Sequence, residues 1–302
     1  MRLLLLSTTL LLFGSAVFAA DAADVWDQVE HHWADNDGVK IHYVTLGKGK
    51  PIVFVHGFPD FWYTWREQMS ALSSDFLTVA IDTRGYNQSD KPKGVENYDL
   101  AYLVADIDAV RVDLGVDEII LVGHDWGGVQ TWKYAMAHPE HTERLVILNL
   151  THPNGFAAVY ANPTDAQRRN TGYARNFIET PFDDDRDASP YARLAQGAGE
   201  VVFGHYKEAM GRSYSDGMLN YYRANYADVS GGNLDVSQLQ MPVLQFHGLL
   251  DNAVDKDGLR DTWNWIDKDY TLVTLPDVGH WVQRDGAEIV SATMRSWLLA
   301  RQ

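Results

Sequence analysis

The chain has 302 residues and a formal net charge of −16, with 41 acidic residues against 25 basic ones. A polypeptide this acidic is repelled by nucleic acids and by anionic membranes, so neither is an expected partner of the mature chain. It has no cysteine, which excludes disulfides and a thiol-linked lipid anchor. The length suffices for one large α/β domain with an insertion.

Residues 1–22 are predicted to form a cleaved export signal. Arg2 supplies a short basic start, residues 3–13 are almost wholly apolar, and small residues follow. Cleavage after Ala19 or Ala22 would suit a signal peptidase. The alternative is an uncleaved anchor, because the apolar stretch approaches the ~20 residues that span a bilayer. The cleaved signal is favoured, and it predicts a periplasmic or secreted protein.

Strands and helices alternate through the next part of the chain, residues 23–150. Residues 39–45 alternate between apolar and polar side chains, as in an antiparallel strand. Continuous apolar runs predict strands that are covered on both faces; these lie at 51–55, 76–81, 119–122 and 144–150. Helices are predicted at 98–114 and 129–138. This rhythm is typical of a mostly parallel sheet flanked by helices.

The alternation stops at residues 151–241, which have aromatic side chains at helical spacing and no clean buried strand. We predict that this segment is a helical cap lying over the sheet. Strands resume at 242–246 and 270–275, with helices near 259–266 and at 286–299. The core domain is therefore predicted to comprise residues 23–150 and 242–302.

The motif Gly-His-Asp-Trp-Gly-Gly at residues 123–128 lies between a predicted strand and a predicted helix. It has the glycine pattern of a nucleophile elbow, G-x-S-x-G, with Asp125 in place of serine. A carboxylate nucleophile attacks saturated carbon and leaves an alkyl ester on the enzyme. This indicates epoxide opening or halide displacement rather than acyl transfer. Asp125 as a simple helix N-cap is the structural alternative.

Three further segments follow predicted strands, where the sites of parallel sheets form. They are residues 56–59, Asp251 and His280. The order nucleophile, acid, histidine is the chain order of α/β-hydrolases. Asp255 and Asp257 lie close to Asp251 and are alternatives for the acid.

With these motifs the chain resembles the epoxide hydrolase branch of the α/β-hydrolases over residues 30–300. The similarity is carried by His-Gly-Phe-Pro-Asp at 56–60, residues 85–92, the elbow, Asn-Tyr-Tyr-Arg at 220–223, and Gly-His-Trp at 279–281. The resemblance implies an α/β-hydrolase fold with a mostly parallel, eight-stranded sheet. It also implies a helical cap inserted after the sixth strand.

The resemblance further implies a role for each site residue. Asp125 would be the nucleophile, Tyr173 and Tyr222 the acids that protonate the departing oxygen, and His280, oriented by Asp251, the base that activates water. The backbone N–H groups of Phe58 and Trp126 would form the oxyanion hole. The substrate pocket is predicted to include His56, Pro59, Asp60 and Trp62. The expected substrate is an apolar epoxide; no metal or organic cofactor is required, and a homodimer is left open.

Several alternatives stay open within this scheme. Tyr191, Tyr214 and Tyr226 are substitutes for the cap acids, whereas Tyr221 and His124 are expected to be structural. A haloalkane or haloacid dehalogenase would use the same nucleophile. However, Phe58 stands where many haloalkane dehalogenases have a halide-binding asparagine. A non-catalytic ligand-binding or sensor protein on the same fold is the rival of another class.

Overall fold

The computed structural model describes residues 24–301, so the export-signal prediction for residues 1–22 lies outside the described residues. Eight strands of this part form one sheet. They are β1 (Glu30–Asn36), β2 (Val39–Gly47), β3 (Pro51–Val55), β4 (Leu77–Ile81), β5 (Ile119–His124), β6 (Thr142–Leu148), β7 (Val243–Gly248) and β8 (Tyr270–Leu275). Their order across the sheet is β1-β2-β4-β3-β5-β6-β7-β8.

The α-helices of the described part precede β1, separate the strands from β3 to β6, form a run between β6 and β7, and follow β8. They are α1 (Val25–Gln28), α2 (Arg66–Leu72), α3 (Leu100–Asp113), α4 (Trp126–Ala137), α5 (Pro153–Ala161), α6 (Asp165–Asn170), α7 (Gly172–Glu179), α8 (Glu200–Arg212), α9 (Ser215–Gly231), α10 (Val282–Asp285) and α11 (Ala287–Leu299). No helix within residues 24–301 combines the length and apolar character that crossing a bilayer would require.

The sheet is mostly parallel, as predicted. Strands β4, β3, β5, β6, β7 and β8 run parallel to one another, whereas β2 is antiparallel to both β1 and β4. Every residue of β3, β5 and β7 is buried. Helices pack against the sheet, including α2 on β4, α4 on β5 and α11 on β7. This cover explains why these strands appear in the sequence as unbroken apolar runs.

The segment between β6 and β7 contains α5 to α9, and within it no residue is assigned to a strand. We call residues 151–241 the cap. Polar contacts join it to the core: the Tyr206 hydroxyl donates to Asp60 Oδ1 at 2.7 Å, and the Leu100 N–H donates to Asn225 Oδ1 at 2.8 Å. The α/β-hydrolase fold class with its inserted cap is confirmed.

Four local predictions differ from the structure. Strand β1 was not predicted, because this edge strand exposes most of its polar side chains and lacks an apolar run. The helix predicted at 259–266 is replaced by two short 3-10 turns, Lys256–Leu259 and Thr262–Trp265. Helix α4 begins at Trp126, three residues earlier than predicted. Strand β6 ends at Leu148, because the next residue, Asn149, has a positive φ of 43°.

Candidate active site

Asp125 occupies the sharp bend between β5 and α4, with φ 51° and ψ −122°. Such a conformation is strained for a residue with a side chain, and it is tolerated where the surrounding packing enforces it. The bend needs glycine neighbours: a Cβ on Gly57 would lie 2.4 Å from the Asp125 Cβ, and one on Gly127 would lie 2.1 Å from the Val55 carbonyl oxygen. The motif therefore works as an elbow that presents the carboxylate at the end of a strand.

The Asp125 carboxylate is buried and is held by backbone donors. The Phe58 N–H donates to Oδ1 at 2.7 Å, and the Trp126 N–H is a second backbone donor. Burial would raise the carboxyl pKa, but the hydrogen bond and the charge of His280 outweigh it and lower the pKa of Asp125. The group is thus ionised at neutral pH, as a nucleophile must be.

His280 lies between two carboxylates. Its Nε2 is 3.5 Å from Asp125 Oδ2, and its Nδ1 is 2.8 Å from Asp251 Oδ2. Burial opposes protonation of the ring, but the charge of Asp251 and hydrogen bonds to both carboxylates raise the pKa of His280 to about 10. Asp125, the imidazole of His280 and Asp251 therefore form a continuous chain.

Asp251 is itself held in place by three donors. The Ala253 and Val254 N–H groups donate to Oδ1 at 2.7 and 3.0 Å, and Asn149 Nδ2 donates to Oδ2 at 2.7 Å. Although burial opposes ionisation, the charge of His280 and these hydrogen bonds lower the pKa of Asp251 well below its usual value. Asp255, which the sequence offered as an alternative to Asp251, instead accepts a hydrogen bond from the N–H of Asp257 in its own loop.

Tyr173 on α7 and Tyr222 on α9 line the same cavity as Asp125. The Tyr222 ring packs edge-on against Phe58, Trp126 and Tyr173, with centroid separations of 5.3, 5.0 and 6.2 Å. The cavity is small, about 30 Å³, and its remaining wall is mostly apolar: Trp126, Val129, Leu150, Phe156, Tyr226, Val229, Ala253 and Val254. Burial, with the nearby charge of Asp125, raises the pKa of both phenols well above the usual value.

The four residues predicted to form the substrate pocket do not line this cavity, and their placement is corrected here. His56 and Trp62 are buried elsewhere: the Thr83 N–H donates to His56 Nε2, and the Trp62 ring stacks on Trp26. Asp60 accepts the hydrogen bond from the cap residue Tyr206. Pro59 is likewise outside the cavity wall. These side chains support the loop that carries Phe58 N–H, and the aromatic cap side chains take their place at the wall.

Of the other tyrosines considered from the sequence, only one lines the cavity. The Tyr221 hydroxyl donates to the Arg84 carbonyl at 2.9 Å, which fits the expected packing role. The Tyr214 hydroxyl donates to Asp184, and Tyr191 packs on the Phe58 ring without lining the cavity. Tyr226 does line the cavity, beside Tyr222, at a centroid separation of 6.0 Å.

Sequence reasoning missed two residues that position the site. Asn149 contacts both the end of β7 and Asp251. Its Nδ2 donates to Asp251, and its Oδ1 accepts a hydrogen bond from the Gly248 N–H at 3.1 Å. Its position directly after a buried strand was a usable signal. Gln283 Nε2 lies 3.3 Å from His124 Nδ1, and His124 Nε2 lies 2.9 Å from the His280 carbonyl oxygen. No local sequence pattern links these three residues.

Burial and the charge of His280 lower the pKa of His124 to about 4, so its ring is neutral at neutral pH. With Nδ1 accepting from Gln283, the proton lies on Nε2, which donates to the His280 carbonyl. This agrees with the structural role predicted for His124. Among residues 24–301 the structure contains no group of three His, Asp or Glu side chains arranged to hold a metal ion.

The chain is similar to known proteins over most of its length. Residues 50–287 match a family described as the alpha/beta hydrolase fold. The chain is 34% identical over 279 residues to "Epoxide hydrolase 1" of Caenorhabditis elegans, covering 86% of this chain and 68% of that protein. It is 31% identical over 280 residues to "Epoxide hydrolase 4" of Mus musculus, covering 87% and 77%.

Solved structures of epoxide hydrolases have a similar fold. The fold is similar to the crystal structure of the Bacillus megaterium epoxide hydrolase in complex with an inhibitor, with a TM-score of 0.81 at 30% identity. That similarity covers 88% of this chain and 99% of the other. Both sheet and cap are therefore included in the shared architecture.

Proposed function

The chain belongs to the α/β-hydrolase family, among the epoxide hydrolases, and on this premise we propose that it converts an epoxide to a vicinal diol through an ester on Asp125. One observation carries the proposal. A single apolar cavity is lined by Asp125, Tyr173 and Tyr222, and His280 lies 3.5 Å from the nucleophilic carboxylate. The proposed nucleophile and the two proposed acids thus share one cavity, and the proposed base lies beside the nucleophile.

Ring opening uses the carboxylate and the phenols. Oδ1 of Asp125 accepts the hydrogen bond from Phe58 N–H, and Oδ2, which lies 3.5 Å from His280 Nε2, bonds to a ring carbon. The ring C–O bond breaks and its electron pair goes to oxygen, which takes a proton from Tyr173 or Tyr222. An alkoxide is a poor leaving group, so this proton transfer lowers the barrier. The raised phenol pKa values favour the protonated form that the step requires.

Hydrolysis of the ester uses His280. Its Nε2 takes a proton from water, and the water oxygen bonds to Cγ of Asp125. The resulting oxyanion is stabilised by the N–H groups of Phe58 and Trp126. The bond between Cγ and the substrate oxygen then breaks, that oxygen takes the proton from His280, and the diol leaves. Asp125 is left as the carboxylic acid, because it keeps the second proton of the water. It ionises as the phenolate regains a proton, which restores the free enzyme.

The charge of Asp125 links the two steps. In the free enzyme, Asp125 is one of the groups that raise the pKa of His280. Esterification removes that charge, so the pKa of His280 falls and the imidazole loses its proton more readily. The base is therefore activated by the formation of the intermediate it must hydrolyse.

Halide displacement on the same nucleophile is the nearest rival. A halide needs N–H donors, and the side chain of Trp126 would be the expected one. In the structure this side chain packs edge-on against the Tyr222 ring, with centroids 5.0 Å apart, so it lies beside the proposed acid. Incubation with styrene oxide and with bromobutane separates the two activities, because the first yields a diol and the second releases bromide.

The decisive experiment is a single turnover with excess enzyme in oxygen-18 water. The mechanism sends the water oxygen into Asp125, so the first diol should be unlabelled and the peptide containing Asp125 should gain the label. His280→Gln should accumulate a substrate-mass adduct on that peptide, whereas the control His141→Gln should not. A labelled first diol, or an adduct on another residue, would show that Asp125 is not the nucleophile.

A further inference from the structure

The helix that carries Tyr222 rests on a part of the core that is held by a buried ion pair. We infer that this pair, Arg84 with Asp106, positions Tyr222 for ring opening. The inference rests on the proposed function, because it takes Tyr222 as one of the two acids. Neither Arg84 nor Asp106 lines the catalytic cavity, so their effect on the reaction must pass through another group.

One face of α9 lies on two segments of the core, residues 84–87 and 97–100, which we call the seat. The residues that form this face are three or four positions apart along the helix, beginning at its N-cap: Tyr214, Gly217, Tyr221 and Asn225. Tyr222 is the position after Tyr221. It therefore points about 100° away from the seat, and it lines the cavity.

Hydrogen bonds hold this face on the seat. The Tyr214 N–H donates to the Gly85 carbonyl at 2.9 Å, and the Tyr221 hydroxyl donates to the Arg84 carbonyl at 2.9 Å. Because such contacts are spread along the helix, the loss of one hydroxyl, as in Tyr221→Phe, leaves the others in place. Displacement of the seat, by contrast, moves the whole helix and Tyr222 with it.

The helix and the seat are also closely packed. Asn225 Nδ2 donates to the Tyr98 carbonyl at 2.8 Å. A Cβ added to Gly217 would lie 2.4 Å from the Tyr98 hydroxyl oxygen. Tyr98 is fully buried, so its ring cannot move aside without disturbing its neighbours. A shift of the seat is therefore transmitted to α9.

Arg84 and Asp106 fix the seat. Nε and Nη2 of Arg84 each donate to a different carboxylate oxygen of Asp106 at 2.6 Å, and Nη1 donates to the Asn97 carbonyl at 2.6 Å. The guanidinium thus joins the two segments of the seat to each other and to α3. Both side chains are buried, and Asp106 also accepts a hydrogen bond from Asn36 Nδ2 of β1 at 2.8 Å. A bidentate pair has a defined geometry, so it holds the seat in one orientation.

The test measures each chemical step in single turnovers with styrene oxide, by rapid quench and mass analysis of the peptide containing Asp125. Asp106→Asn should slow ester formation about tenfold, because displacement of a catalytic group by about 1 Å can cost up to about 10²-fold. Hydrolysis of the ester does not use Tyr222, so its rate should stay within about twofold of the wild-type value.

Asp108→Asn is the matched control. Asp108 lies on the same helix, α3, and pairs with Arg111 at 2.7 Å, outside the seat. The substitution thus removes the same charge and also leaves an arginine without its partner. It should change neither step.

Two further variants address folding, because a buried arginine without a counter-ion is destabilising. Arg84→Met/Asp106→Leu removes both charges, so it should unfold at a higher temperature than Asp106→Asn and still keep the tenfold loss in ester formation. Gly217→Ala disturbs the same contact from the cap side and should give a similar loss. Its control, Gly211→Ala on α8, should not, since the added Cβ would lie 3.9 Å from its nearest neighbour.

A double-mutant cycle with Tyr222→Phe separates positioning from a general structural effect. Once the hydroxyl is removed its position no longer matters, so Asp106→Asn should slow ester formation in the Tyr222→Phe background by less than about twofold. Equal slowing of both steps, losses that multiply in the cycle, or normal ester formation in Arg84→Met/Asp106→Leu would overturn the inference. Wild-type ester formation in Tyr222→Phe would instead refute the proposed acid, and absence of any ester on Asp125 would refute the proposed function itself.

Discussion

Replacing Tyr222 with phenylalanine removes one proposed acid while keeping its ring. The ring is buried against Phe58, Trp126 and Tyr173, and these edge-on contacts do not require the hydroxyl. The variant should therefore fold normally. What it loses is a proton donor within the cavity that contains Asp125.

The size of the loss follows from the number of acids available. A positioned general acid contributes roughly 10²- to 10⁴-fold to a rate. Because Tyr173 lines the same cavity and remains in place, Tyr222→Phe should lose about 10²-fold in kcat/KM, or about 2.7 kcal/mol of transition-state stabilisation. Tyr173→Phe should behave similarly. The double variant, which leaves neither proposed acid, should lose about 10⁴-fold.

The adjacent tyrosine provides the matched control. Tyr221 lies on the same helix, is equally buried, and donates to the Arg84 carbonyl at 2.9 Å away from the cavity. Tyr221→Phe should therefore lower the free energy of unfolding by about 1 kcal/mol, as for a lost buried hydrogen bond. Its kcat/KM should stay within about twofold of the wild-type value.

The assay is diol formation from styrene oxide, with bromide release from bromobutane measured in parallel. A halide leaves without a proton, so Tyr222→Phe should damage epoxide opening far more than bromide displacement. Wild-type kcat/KM for styrene oxide in Tyr222→Phe would show that the hydroxyl is not an acid. Equal losses with both substrates would show that the variant had disturbed the nucleophile.

The other predictions concern the elbow glycine Gly57, the Asp251 partner Asn149, and the pH dependence of the two chemical steps. Gly57→Ala should abolish activity, because its Cβ would lie 2.4 Å from the Asp125 side chain; Gly204→Ala, in open space on α8, should stay active and gain up to about 1 kcal/mol in thermal unfolding. Asn149→Ala should lose about 10-fold or more in kcat, since Asp251 loses a charge-assisted donor, and normal kcat would exclude a positioning role. Rapid-quench measurements should still detect formation of the ester above pH 10. The acids must be protonated for this step, and the raised pKa of both phenols keeps them protonated at that pH. Hydrolysis of the ester needs neutral His280, so its rate should rise with pH through a pKa below about 10; a rise only near pH 10 would show that esterification does not lower it.

Much of the candidate site follows from local sequence. Glycines around Asp125 and a strand before it predict an elbow, because close backbone approach leaves no room for a Cβ. Asp251 and His280 follow buried strands, and the carboxyl ends of parallel strands meet at one edge of a sheet. Chain order and strand position therefore brought Asp125, His280 and the loop of Asp251 into one group. They did not distinguish Asp251 from Asp255 and Asp257, which the hydrogen bond between His280 and Asp251 does.

The composition of the pocket wall was decided only by tertiary structure. Residues 56–62 follow β3 and include the Phe58 N–H that binds Asp125, yet none of them lines the cavity, whereas Tyr173, Tyr222 and Tyr226 do. Adjacent tyrosines on α9 differ in role because successive helical positions point about 100° apart. Which of them faces the cavity depends on how the cap packs on the sheet, through contacts between residues distant in the chain. No period or motif records those contacts.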